Sequence, residues 1–163
     1  MSDPNRDVRQ PDSSIFEAAG GLPGLTRLAM AWHERVMADP VVAHAFHHGT
    51  KPDHTDRLAA YLAESLGGPP LYTARYGDQS AVVRLHSGNG EHEEMNQRAV
   101  ACFDAAIGDI GLSVEDGAGA ALHDYWSWAT WGPMATYHRS ARDVPAGLPL
   151  PRWTWGSTEG QVD

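Results

Sequence analysis

A small all-α domain with an extended C-terminal tail is the fold class this sequence predicts. Three observations point there. Apolar residues recur at helical spacing through most of the chain, and nowhere do strand and helix patterns alternate as βαβ units would. Double glycines and prolines fall where the helical stretches stop. Beyond Ser140 the pattern gives way to a Pro- and Gly-rich run, "DVPAGLPLPRWTWGSTEG".

The elements follow in chain order. "SSIFEAAGG" places Ser14 three residues before Glu17, a capping box, and stops at Gly20-Gly21. In "LTRLAMAWHERVMADP" the residues Leu25, Leu28, Ala29, Trp32 and Val36 form one stripe of a second helix. Pro40 ends that helix and opens a short turn through Phe46. "DHTDRLAAYLAESLGG" repeats the form: Asp53 or Thr55 caps it, Leu58, Leu62 and Leu66 lie in phase, and Gly67-Gly68 stops it. Residues 69 to 86 carry Pro69, Pro70 and Gly77, and read as a loop ending in a short helix at His86. "EHEEMNQRAVACFDAAIGDIG" starts with acids that complement the helix dipole and has Met95, Ala99, Cys102, Phe103 and Ile107 on its inner face. Ser113 with Asp116 can cap the last long helix, which carries Leu122, Tyr125, Trp126 and Ala129 and ends near Gly132-Pro133. Residues 1–13 are expected to form a flexible leader, 14–139 the helical domain and 140–163 the tail.

Composition narrows the function classes. A length of 163 residues suits one domain with one core. A net charge of -9 without a basic run argues against nucleic acid and anionic membrane as partners. No apolar stretch approaches the roughly 20 residues that cross a bilayer. "MSDPNRDVRQPDSS" has no apolar signal core, so a cytoplasmic protein is expected. The lone Cys102 excludes an internal disulfide and a Cys-based zinc site, and is expected to be buried in its helix.

Nine histidines and six tryptophans are many for this length. His86 follows Val82, Val83 and Leu85, and an imidazole beside apolar neighbours can serve as an axial haem ligand or as a core residue bonded to a carbonyl. His92 opens "HEEMN", where Asn96 stands in place of the second histidine of a zinc helix. His44, His47, His48 and His54 are dense enough to hold zinc, but Gly49 and Pro52 break the segment and solvated histidines explain it as well. His33 sits beside Trp32 in mid-helix, at the edge of the core or facing a cavity. No nucleophile elbow, phosphate loop or EF-hand loop is present, and "GNG" lacks the strand-to-helix context of a dinucleotide fingerprint.

Taken together, "IFEAAGGLPGLTRLAMAWHERVMADPVV", "RLAAYLAESLGGPPLYTARYG", "RLH" with Cys102 in the next helix, and "LHDYW" resemble the truncated haemoglobins, group II most closely. The likeness runs from Ile15 to Trp131, and its specific parts are the double-glycine stop, "ADP" and "LGGP" in that order. It implies a truncated globin, a two-over-two helical sandwich around haem b, with His86 as the proximal iron ligand. It puts Phe46 against the haem face and His54 and Leu58 at the two positions that look onto bound ligand. Leu62, Tyr72, Val83, Ala99 and Phe103 join the implied cofactor contacts. Two departures bear on function: His33 stands where group II members usually have tyrosine, and Ala99 where they usually have tryptophan. The aromatic-rich stretch after the proximal histidine is replaced by "SGNGEHEE".

Losing a tryptophan beside haem leaves room of the order of ~150–250 Å² of side-chain surface, which either Trp153 or Trp155 of the tail fills or a substrate enters. Histidine also titrates near neutral pH, where tyrosine does not. Three readings follow. In the first, a haem protein binds dioxygen or another small ligand (nitric oxide, peroxide) with redox activity, His33 and His54 being its catalytic candidates. In the second, a haem peroxidase or oxygenase takes an organic substrate in an enlarged distal pocket. In the third, the chain is a zinc protein or a helical interaction module. An electron-donor reductase is an expected partner of the first two, and the "WTW" tail is a lid or a homodimer contact.

Overall fold

The structure, a computed structural model, describes residues 13–157. Most of the expected leader, residues 1–12, lies outside them, as do residues 158–163 of the tail. Among the described residues there are eight α-helices and two short 3₁₀ turns, and no strand.

The first helix, α1 (Ile15–Ala18), is capped by Ser14, whose Oγ accepts from the Glu17 N–H at 3.1 Å. The second, α2 (Gly21–Ala38), buries the stripe Leu25, Leu28, Ala29, Trp32 and Val36. Gly24 is required where α1 hands over to α2, because a Cβ there would overlap the Ala19 carbonyl. Asp39 then caps α3 (Pro40–Ala43), accepting from Val41 N and Val42 N, and a 3₁₀ turn over His44–Phe46 follows. The fourth helix, α4 (His54–Ser65), has Asp53 at its N-cap and is stopped at Gly67, where φ is +94°.

The segment from 69 to 86 departs from expectation. It contains two helices, α5 (Leu71–Arg75) and α6 (Gln79–Leu85). No local signal marks α5; it is anchored by Glu64, a carboxylate only 3% exposed. Glu64 Oε2 accepts from Tyr72 N and Thr73 N at 3.1 and 2.9 Å, and Oε1 from Thr73 Oγ1 at 2.6 Å. A distant side chain thus satisfies the first-turn N–H groups that a helix cannot satisfy itself. In α6, Asp78 caps the start by accepting from Ala81 N.

The last two long helices are α7 (Glu93–Asp109) and α8 (Gly117–Trp131). Cys102 is half-buried, shallower than expected, because it lies at the edge of the α7 inner face. Asp116 occupies the α8 N-cap position without a side-chain cap bond, and Ser113 Oγ instead accepts from Glu115 N.

Helix α2 packs on α4 and α7, and α7 packs on α8, so the pairs α2/α4 and α7/α8 form a two-over-two sandwich. Leu25, Leu28, Leu62, Phe103, Ile107, Leu122 and Tyr125 fill its centre and are fully buried. The C-terminal segment wraps back onto this body. Ser80 Oγ donates to Pro145 O and accepts from Leu148 N, Trp153 N donates to Ser65 O, and Trp155 Nε1 donates to Ser13 O. Trp153 is 3% exposed and packs against Tyr125 and Trp128. No helix among the described residues is long and apolar enough to cross a membrane.

Candidate functional site

His86 is the C-cap of α6, where the backbone leaves helical geometry. Its Nδ1 lies 2.8 Å from Val82 O. Only a ring protonated on Nδ1 can make that bond, so the neutral ring keeps its Nε2 lone pair free. The side chain has accessible surface, yet protein crowds it enough that desolvation pushes its pKa down, against the Val82 bond.

Two further histidines come together on other helices: His54, on the first turn of α4, and His33, midway along α2. Their ring centroids are 5.3 Å apart. Phe46, delivered by the turn after α3, meets both edge-on, at 6.0 Å from His33 and 5.3 Å from His54. Desolvation lowers the His54 pKa, and the nearby His33 and His86 charges lower it further. His54 therefore lies within electrostatic reach of both other imidazoles. Two ring nitrogens here are buried without a hydrogen-bond partner, His33 Nδ1 and His54 Nε2. Buried polar atoms without partners are uncommon, and these two lie on adjacent rings.

The other expected contacts divide. Phe46, Leu58 and Ala99 are half-buried and keep surface available at the edge of the core. Leu62 and Phe103 have none; they belong to the core, Phe103 stacked on Trp126 at 4.2 Å. Tyr72 packs edge-on to Tyr61 and its own backbone binds Glu64, while Val83 turns toward the C-terminal segment. These four support the wall from behind, because their places on α4, α5, α6 and α7 point inward.

Beside Ala99 stands Trp32, whose Nε1 donates to Ala99 O at 3.4 Å, with Trp126 against Trp32 at 5.1 Å. The tail tryptophans are on the other side, at Ser65, Tyr125 and Ser13. Trp32 had a sequence signal, its place on the buried stripe, but nothing local tied it to Ala99, 67 residues away.

The remaining histidines do not converge. His44 stacks on His47 and His47 abuts His48, all exposed, while His54 turns away from them to His33. Among the described residues no group of three or more His, Cys, Asp or Glu could hold a metal ion, which removes the support for a zinc cluster. His92 is an exposed N-cap of α7.

Comparisons with known proteins agree with this fold. A family model described as bacterial-like globin matches residues 14–123. The thermostable haemoglobin of Thermobifida fusca is 27% identical with a TM-score of 0.64, over 76% of this chain and 98% of that one. The haemoglobin of Chloroflexus aurantiacus is 23% identical with a TM-score of 0.65, over 76% and 98%. The group II truncated haemoglobin of Bacillus anthracis is 20% identical with a TM-score of 0.67, over 80% and 95%; at these lower identities the last two speak for the fold alone. No curated protein matches the sequence.

Proposed function

Because the chain belongs to the bacterial-like globin family, we propose that it binds haem b through His86 and takes a small ligand on the side where His33 and His54 meet. That ligand is dioxygen, nitric oxide or peroxide, and the outcome is redox chemistry rather than passive carriage. The observation that carries the reading is the arrangement of three histidines. One has its Nδ1 committed to a carbonyl, and two hold buried nitrogens without partners.

The residues fit the group. An axial ligand must be a neutral imidazole with a free Nε2, oriented from its other nitrogen. His86 meets this through Val82, and its lowered pKa keeps it neutral at neutral pH. Phe46, Leu58 and Ala99 supply apolar surface nearby. When bound, haem supplies an iron that takes small ligands and exchanges electrons.

What the chain itself contributes is orientation and proton control. The Val82 carbonyl fixes the His86 tautomer and ring plane. His54, held neutral by desolvation, offers Nε2 to a ligand as donor or as acceptor according to its tautomer. The His33 ring stands beside it, 5.3 Å between centroids, and its Nδ1 is also without a partner, so it offers a second polar contact to the same ligand. Phe46 restrains both rings and limits water between them. Acid–base help of this kind is worth roughly 10²–10⁴ in rate. The indoles of Trp32 and Trp126 border the space beside Ala99, which favours a small ligand over a bulky organic substrate.

The test is the visible absorption spectrum of protein supplied with hemin, ferric and ferrous, beside His86→Ala. A sharp Soret band that is lost or shifted in the variant is expected. An unchanged band in His86→Ala would remove His86 from the iron, and no band in the wild type would remove haem altogether. In His54→Ala the band is expected to persist while the rate of peroxide consumption falls by a factor of ten or more.

A further inference from the structure

A concave site lies where α6 meets the C-terminal segment. It is an open-mouthed cavity of about 460 Å³, within the ~300–1,000 Å³ that small-molecule sites span. Gln79 and Val83 of α6 form its floor, and Trp128 with the turn after α8 forms one side. Leu148, Pro149 and Pro151 of the C-terminal segment form the other. We propose that this cavity binds a neutral, flat aromatic molecule carrying one carbonyl oxygen.

The walls argue for flat and aromatic. Trp128 is held in place by Trp153 at 5.4 Å and Tyr125 at 6.3 Å, so its ring is a fixed surface. Three prolines and Tyr137 add rigid apolar faces that lose little freedom on binding. The turn beneath them is pinned, with Thr136 Oγ1 donating to Gly132 O at 2.9 Å and Gly88 N to Tyr137 O at 3.0 Å.

Charge argues for a neutral ligand. No Asp, Glu, Lys, Arg or His is among the lining residues, so an ion would lose hydration without a counter-charge. One polar group specifies the oxygen. Gln79 is 3% exposed, and its Oε1 is taken by Tyr61 OH at 2.8 Å. Its Nε2 donors have no acceptor among the described residues, and Gln79 lines the cavity. An accessible donor without a protein partner, in a cavity that is otherwise apolar, selects a carbonyl acceptor. The site adjoins the helix end that carries His86, because Val83 O accepts from His86 N at 3.0 Å and from Ser87 Oγ at 2.6 Å. It does not depend on haem being bound.

The experiment titrates 2-acetylnaphthalene into the ¹⁵N-labelled full chain, with and without added hemin, and follows the Trp128 indole and Gln79 side-chain amide signals. Both are expected to shift and saturate with one dissociation constant in either preparation. Thr136→Trp, which places an indole at the exposed rim, is expected to weaken binding at least tenfold. Gln79→Met is expected to weaken it several-fold and to abolish the preference over 2-ethylnaphthalene, which lacks the carbonyl. The anion 2-naphthoate is expected to bind at least tenfold more weakly. Shifts confined to His33, His54 and His86, or Thr136→Trp binding as tightly as wild type, would overturn the proposal.

Discussion

Replacing Trp153 by alanine removes the one large side chain through which the C-terminal segment enters the core. The indole is 3% exposed, 6.0 Å from the Tyr125 ring and 5.4 Å from Trp128. Its backbone bond, Trp153 N to Ser65 O at 2.7 Å, survives the substitution, so the loss isolates the side chain. Truncating a buried aromatic residue to alanine costs about 3–5 kcal/mol. Against a total stability of roughly 5–15 kcal/mol, that is about a fifth or more. For a chain of this size each kcal/mol moves Tm by roughly 2–4 °C, so a drop of about 6–20 °C is expected. Circular dichroism at 222 nm during heating and in urea reads it without depending on tryptophan emission. Trp155→Ala is the matched control. That indole is only half-buried and makes one bond, to Ser13 O, so a loss of about 1 kcal/mol is expected. A Trp153→Ala protein within about 2 °C of wild type would refute the reasoning. The segment would then lie on the body without being part of its core.

Two further outcomes follow from the same structure. Desolvation lowers the pKa of His54 below the ordinary histidine value, so between the two values the unfolded chain binds more protons. Stability is therefore fully present above about pH 6.5 and is lost as pH falls through the lowered value. Urea midpoints at pH 7.5 and 5.0 should show the loss, and a His54→Gln variant should flatten it. An equal slope in both proteins would contradict the assignment. Asp39, Asp53 and Asp109 are held below their usual range and titrate at lower pH. At Glu64, Leu keeps a similar volume but takes away the acceptor of the Tyr72 and Thr73 N–H groups. About 2–3 kcal/mol should be lost in urea unfolding, with faster hydrogen exchange at those two amides. Unchanged exchange there would mean that α5 does not depend on Glu64.

The site was legible in part. Spacing alone put Leu25, Leu28, Ala29, Trp32 and Val36 on the buried face of α2, which left His33 at the edge of that face. His86 at the end of a short helix was readable from its apolar neighbours and from the break at Ser87-Gly88. The resemblance to truncated globins turned these positions into a specific reading. Leu62 and Phe103 show its limit, because a residue in helical phase with a cofactor wall can equally point into the protein, and one step of rotation decides. Gln79 was not singled out at all. Its Tyr61 partner is 18 residues away, and the cavity it lines is closed by Leu148 and Pro149, far along the chain.

By itself, then, the sequence determined where helices begin, which stripe of each is apolar, and where the chain must turn. Those are local properties, carried by periodicity and by what glycine, proline and capping side chains permit. Only the tertiary structure decided that α5 exists, since its cap comes from Glu64 on α4. It alone decided that His54 faces His33 rather than its neighbours His47 and His48, and that Trp153 packs against Tyr125 instead of Ala99. The physical reason is the same in each case. These contacts join residues that the chain separates, and their energies depend on how whole helices rotate and pack, a property that no short window of sequence contains.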